Sequence, residues 1–257
     1  MTRAPQSDFP SVPASLAEAQ RPAKVADALE RLGRRIASGS IAEGETLPIE
    51  PELATELNVS RSTVREVVRT LIALGMVEVR PRIGTRVRPS GEWNLLNRDV
   101  LRWMSPEDAP NPVILAAIGE ARHVFEPSAA ALAAERATDS EIVRIRVAFD
   151  AMQVAADRPS IVEAIQADRA FHLAVLEATH NPILRAFDSA IDAILGVLFR
   201  VTTNHLEDFR DNLGNHRRVL DAIAAHDPEA ARQAMADTIG HTEDHLRHSD
   251  IGPGTRT

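Results

Sequence analysis

Asp168 and His172 stand four residues apart in a stretch, 160–180, whose apolar spacing predicts a helix. Side chains at that interval lie over one another on one helical face. A carboxylate and an imidazole so placed can converge on one divalent cation. The same pair can also stand at a helix surface or share a buried hydrogen bond without any ion, and spacing alone does not choose between these. His216, from a later predicted helix, is a candidate third ligand. The chain contains no cysteine, so a metal site here must use His and carboxylate, a donor set that suits Zn²⁺, Ni²⁺ or Mn²⁺. On the first predicted helix of this half, Arg122 carries a planar guanidinium that matches a carboxylate. Its own sequence offers it Glu126, one turn further on.

A different chemistry occupies residues 60–75. Val64, Val67, Val68, Leu71 and Leu74 recur at three- and four-residue spacing, while Arg61, Ser62, Arg65 and Arg69 fall on the other side. Ser60 is a natural N-cap and Gly75 a natural terminator. One face packs, and the other presents cations and hydroxyls suited to a DNA groove. Upstream, Leu53, Ala54 and Leu57 mark a short helix from about Glu50, with a tight turn at Asn58-Val59. Downstream, alternating strands 77–80 and 85–88 flank Pro81-Arg82-Ile83-Gly84. The whole reads as a winged helix-turn-helix whose candidate DNA contacts are Ser60, Arg61, Ser62, Thr63, Arg65, Arg82, Gly84 and Arg86.

Charge divides along the same line. The net charge is −8, yet residues 1–95 hold 13 basic and 12 acidic side chains, and residues 60–88 hold seven arginines against two glutamates. That local excess is what phosphate binding requires. All nine histidines lie beyond residue 120. The absence of cysteine, of any apolar run long enough to span a membrane, and of a signal-peptide layout leads us to expect a cytoplasmic protein.

These elements imply a mainly α chain in successive parts. Residues 1–20 are expected to be a disordered tail, 21–90 a winged domain that begins with a helix from Ala23, and 91–108 a linker helix. In the linker, Trp93, Leu96, Val100 and Trp103 fall at helical spacing, and its aromatics should dock between the domains. Residues 109–248 predict an all-α antiparallel bundle of six helices: 112–136, 140–156, 160–180, 182–202, about 208–226 and 228–248. A second disordered tail, 249–257, should follow.

The motif Leu47-Pro48-x-Glu50-x-Glu52-Leu53-Ala54, then Val59-Ser60-Arg61-x-Thr63-Val64-Arg65-Glu66 and Gly84-Thr85-x-Val87, resembles the DNA-binding domain of GntR-superfamily regulators. Arg122-x-x-x-Glu126-Pro127, Asp168-x-x-Phe171-His172 and His216-x-x-x-Leu220 resemble the FCD effector domain of the FadR subfamily. The linker is most similar to regulators of sugar-acid catabolism of the D-galactonate type. Ile49 and Pro51 depart from the pattern, as do Pro81 and Arg82 in the wing, whose tip should be stiffer and more cationic. The resemblance implies that Asp168, His172 and His216 ligate a divalent transition metal and that Arg122 faces a small organic acid. In the metal-binding branch a further histidine would fall 22 residues after His216, and here that position is Thr238. The corner is then left to water or effector oxygens, with His241 as the alternate fourth ligand.

The function expected is a ligand-responsive transcriptional regulator, a repressor of a carbon-catabolism operon. It would work as a homodimer on a pseudo-palindromic operator and sense an acid such as a sugar acid. The alternative is a metal-dependent enzyme acting on a small acid with a DNA-binding domain attached. That would require a general base beside the metal, for which Glu163 and Asp192 are the candidates.

Overall fold

The computed structural model describes residues 22–106, 109–186 and 206–248. Helix α1 (Ala23–Ala37) is followed by α2 (Glu50–Leu57), α3 (Arg61–Ala73) and an antiparallel hairpin of β1 (Val77–Arg80) and β2 (Gly84–Val87). Val77 opposes Val87, and Arg86 also bridges to Thr46. The turn between α2 and α3 runs through Asn58 in a left-handed conformation, φ 55°. Ser60 then caps α3 by accepting from the Thr63 N–H at 3.2 Å. The helix ends where expected. Gly75 has φ 73°, and a Cβ there would come within 2.6 Å of the Glu92 carbonyl, so both backbone conformation and contact call for glycine. The wing turns through Arg82, also left-handed at φ 66°, so its tip is cationic, as expected, at a position glycine would usually hold.

Residues after the wing differ from the expected continuous linker helix. A 3₁₀ turn at Ser90–Glu92 precedes Trp93, and the helix proper, α4, covers only Arg98–Met104. Both tryptophans pack into the winged unit. Trp93 and Trp103, 7% and 2% exposed, join Leu29, Leu32, Leu71 and Met76 in the core of the winged unit, whereas Leu96 is 55% exposed. Trp103 covers Gly33 so closely that a Cβ on Gly33 would stand 2.6 Å from the indole. The indole Nε1–H donates to Glu30 Oε2 at 2.8 Å, and Arg102 donates to both Glu30 oxygens at 2.8 and 2.5 Å. Burial opposes ionisation of Glu30, but the bonds from Arg102, Trp103 and Arg34 outweigh it and hold the carboxyl at about 2.

Docking of α4 should therefore be acid-sensitive in a defined sense. A carboxyl held below its unfolded value contributes fully above about pH 4.5, and that contribution is lost as pH falls toward about 2. Tryptophan fluorescence during acid titration should report loosening of α4 in that window, and Glu30→Gln should remove this component of the titration. An unaltered acid transition in the variant would exclude Glu30 as the group responsible.

The second half is helical throughout its described residues: α5 (Pro112–Arg136), α6 (Asp139–Ala156), α7 (Ile161–Glu177), α8 (Pro182–Ala186), α9 (Leu206–Ala224) and α10 (Pro228–His248). Asn111, ahead of Pro112, caps α5 through the N–H groups of Val113 and Ile114, and Ser160 caps α7 through that of Glu163. Helices α6 and α7 are neighbours, as are α9 and α10, while α10 also lies along α5. Their common core contains Ala130, Phe149, Phe171, Val219, Leu220 and Ile223. Of the helix predicted at 182–202, only α8 is described; the remainder, and both tails, lie outside the described residues. No helix among the described residues is long and apolar enough to cross a membrane.

Candidate functional site

Helix α7 carries Asp168 and His172 on one buried face, and α9 brings His216 against them. Each is under 5% exposed, and one ligand atom from each lies within 4.8 Å of the other two. His216 Nε2 stands 3.1 Å from Asp168 Oδ1, and His172 Nε2 stands 3.7 Å from Asp168 Oδ2. Although so near a carboxylate, His216 Nε2 is buried without a well-formed hydrogen bond, and so is Nδ1 of His172. Buried polar nitrogens normally find partners. Two imidazoles converging on a carboxylate, with one facing nitrogen left over, fit ligands of a shared cation, and the three side chains could hold a metal ion. The set includes no cysteine thiolate, consistent with a borderline metal.

Arg122 is 3% exposed and projects from α5 into the same polar interior. Its Nε donates to Glu126 Oε1 at 2.5 Å and its Nη2 to Oε2 at 3.4 Å, so the i,i+4 pair noted in the sequence forms, but buried rather than at the surface. Glu126 Oε2 is also 2.7 Å from His172 Nδ1. Burial would raise the Glu126 carboxyl, yet Arg122 and His172 overcome it and keep the group well below the usual carboxylate range. Burial likewise opposes the charge on Arg122, and Glu126 foremost, then Asp168 and Glu243, push its pKa up. Asp168 is held low against its own burial by His172, His216 and Arg122. The interior thus holds a network in which each charge depends on the others. Part of the Arg122 fork is already committed to Glu126.

The position where a fourth histidine would fall behaves differently. Thr238 is buried, and its hydroxyl donates to the Ala234 carbonyl at 2.8 Å in its own helix, so it offers no anionic ligand. His241 is half-buried on α10 and is not among the residues whose ligand atoms converge. Of the two bases considered for the enzyme reading, Glu163 lies at the start of α7 in an exposed pair with Arg158, and Asp192 lies outside the described residues. Glu126 is the one site residue that sequence reasoning saw only as a helix-pair partner.

On the winged unit, Arg61, Ser62, Arg65 and Arg69 are exposed along α3. Arg65 Nε meets Glu50 Oε2 at 2.8 Å while the side chain stays 62% exposed. The Ser60 hydroxyl contacts those of Ser62 and Thr63 at 2.8 and 2.9 Å, so its cap and the candidate hydroxyl contacts form one cluster at the helix start. Arg82 and Gly84 are exposed in the wing. Arg86 is drawn inward instead: its Nε donates to the Gly44 carbonyl at 2.6 Å, tying β2 to the turn after α1.

Residues 24–87 match the bacterial regulatory proteins of the gntR family, and residues 117–241 match the FCD domain. Over 218 residues the chain is 36% identical to the galactonate operon transcriptional repressor of Escherichia coli K12, a span of 84% of this chain and 93% of that protein. The chain belongs to the GntR family, with an FCD effector domain. This GntR regulator is also 31% identical to the putative L-lactate dehydrogenase operon regulatory protein of E. coli K12, over 86% of its own length and 89% of the relative. Its fold is shared with Lar, which controls the agr system of Listeria monocytogenes, at a TM-score of 0.62 and 18% identity over 89% of this chain and 98% of that one. The GntR chain is therefore a ligand-responsive DNA-binding transcriptional regulator, and its relatives are regulators rather than enzymes. Regulators of this family bind DNA operators and respond to small-molecule effectors.

Proposed function

We propose that this regulator acts as a repressor of a carbon-catabolism operon, with a small organic acid of the sugar-acid class as its signal. The observation that carries the reading is the buried set of Arg122, Glu126, Asp168, His172 and His216 inside the bundle. Asp168, His172 and His216 would hold a divalent transition metal, which when bound supplies a Lewis-acidic centre for a carboxylate or hydroxyl oxygen. Arg122 would bind the acid from α5 with the N–H groups that Glu126 leaves. The likeness to the galactonate operon repressor supports a hydroxylated acid in particular. A thermal-shift screen of sugar acids, with and without chelator, tests this: stabilisation by an acid that chelator abolishes is expected, and no response to any acid of the class would sink it.

DNA is read, in this proposal, by Ser60, Arg61, Ser62, Thr63 and Arg65 on α3 and by Arg82 and Gly84 in the wing, with Arg86 positioning β2. The reader would run from residue 21 through α4, since Trp93, Val100 and Trp103 belong to its core, and residues 109–248 would form the sensor and dimerisation unit. The protein works in the cytoplasm as a homodimer, because two half-sites need two readers. Arg61→Ala and Arg65→Ala should each cost about 1–3 kcal/mol in operator affinity. Arg82→Ala should lower affinity across sequences and flatten its dependence on salt. Gel-shift affinities equal to wild type for both α3 variants would remove that helix from the interface, and a monomer at micromolar concentration by sedimentation would exclude the dimer.

A further inference from the structure

The two imidazoles of the cluster are held alike. His216 Nδ1 lies 2.9 Å from the Asn212 carbonyl and turns Nε2 to Asp168 Oδ1. His172 Nδ1 lies 2.7 Å from Glu126 Oε2 and turns Nε2 to Asp168 Oδ2. In both rings an oxygen faces Nδ1 and the Nε2 lone pair is left for a cation, the arrangement by which an outer carboxylate or carbonyl sets the tautomer and basicity of a ligating histidine. Glu126 itself stands outside the converging group of Asp168, His172 and His216. Its other oxygen takes the Arg122 guanidinium at 2.5 Å. One buried carboxylate, 3% exposed, therefore touches both the residue suited to an acid and a residue suited to a metal.

Resting on the metal-and-acid reading above, we propose that Glu126 is a positioning residue that orients His172 for the metal and joins the metal to Arg122. The contact at His172 Nδ1 is short but runs off the N–H direction, so the nitrogen has no well-formed hydrogen bond in this structure. Fixing that ring from Nδ1 is work Asp168 cannot do, because Asp168 faces the opposite nitrogen. A carboxylate can serve His172 and Arg122 at once because it has two acceptor oxygens, whereas a glutamine in its place has one.

The test compares wild type with Glu126→Gln and Glu126→Asp, using Co²⁺ alone as the probe. Calorimetry gives its affinity, the visible absorption spectrum reports its ligand field, and circular dichroism confirms that each bundle is folded. Glu126→Gln should weaken Co²⁺ binding by about 10- to 100-fold and shift the absorption bands. Glu126→Asp keeps both oxygens and the charge, and should restore part of the affinity. If Glu126→Gln does not fold, the aspartate variant carries the test, since a one-carbon retraction from His172 should still move the spectrum. Wild-type affinity and an unchanged spectrum in a folded variant would overturn the inference and leave the metal reading intact. A wild-type protein that takes up no metal would overturn both.

Discussion

His172→Ala is expected to strip the bundle of its metal and its response to the effector together, while leaving operator binding at the wild-type level. His172 shares Asp168 with His216, so its loss leaves a carboxylate and one imidazole, too few to hold a transition metal in a protein with no cysteine thiolate to recruit. The substitution also deprives Glu126 of its second partner, so the buried charge rests on Arg122 alone. The sensor should consequently lose stability as well as ligand, and its melting temperature should no longer rise with added metal. The reader has its own core, built from α1 to α4, and shares none of these side chains. Metal content by elemental analysis and operator affinity by gel shift, on the same preparation, decide the matter. Full metal occupancy in His172→Ala would remove the histidine from the ligand set.

Trp103→Ala should give the largest loss of stability in the DNA-binding half, about 3–5 kcal/mol, the range for truncating a fully packed aromatic side chain. Trp103 fills the space over Gly33, where no side chain competes with it, and donates its indole N–H to Glu30. Its removal opens a cavity against α1 and takes one of the donors that keep Glu30 ionised. Chemical denaturation followed through Trp93, the other tryptophan, reads this unit directly. A loss below about 0.5 kcal/mol, the size of a typical exposed-site substitution, would mean that α4 merely rests on the reader. Gly33→Ala approaches the same contact from the other side, and its methyl group should displace the indole and cost about 1–3 kcal/mol.

Much of the reader could be read in advance because its signals are local. Ser60 and Gly75 bracket α3 by capping chemistry that depends only on neighbouring residues, and the wing follows from alternation over a few positions. Local signals misled in the linker: the tryptophans fall at helical spacing, yet Trp93 belongs to a turn and only Val100 and Trp103 share a helix. Arg86 looked like a wing cation because its partner, the Gly44 carbonyl, is 42 residues away in sequence. In the bundle, Asp168 and His172 announced themselves by helical register, and the structure brings His216, already the third candidate, against them from α9. Glu126 was hidden for a physical reason. An arginine and a glutamate four apart look the same in sequence whether the helix face is wet or dry, and only the packing of α5 against α10 and α7 decides that this one is dry.

Closing α4 onto α1 also bears on how the protein is made. The bond from Trp103 to Glu30 spans 73 residues and joins the first helix of the reader to its last. Translation delivers about 5–20 residues each second, from the N-terminus onward. Leu29 and Leu32 are therefore synthesised several seconds before the tryptophan that completes their shelter leaves the ribosome. The nascent reader waits with an open apolar seam beside Gly33, and a stall in translation just short of Trp103 would hold it there. Chaperone capture during synthesis should concentrate on that interval and end once α4 has emerged.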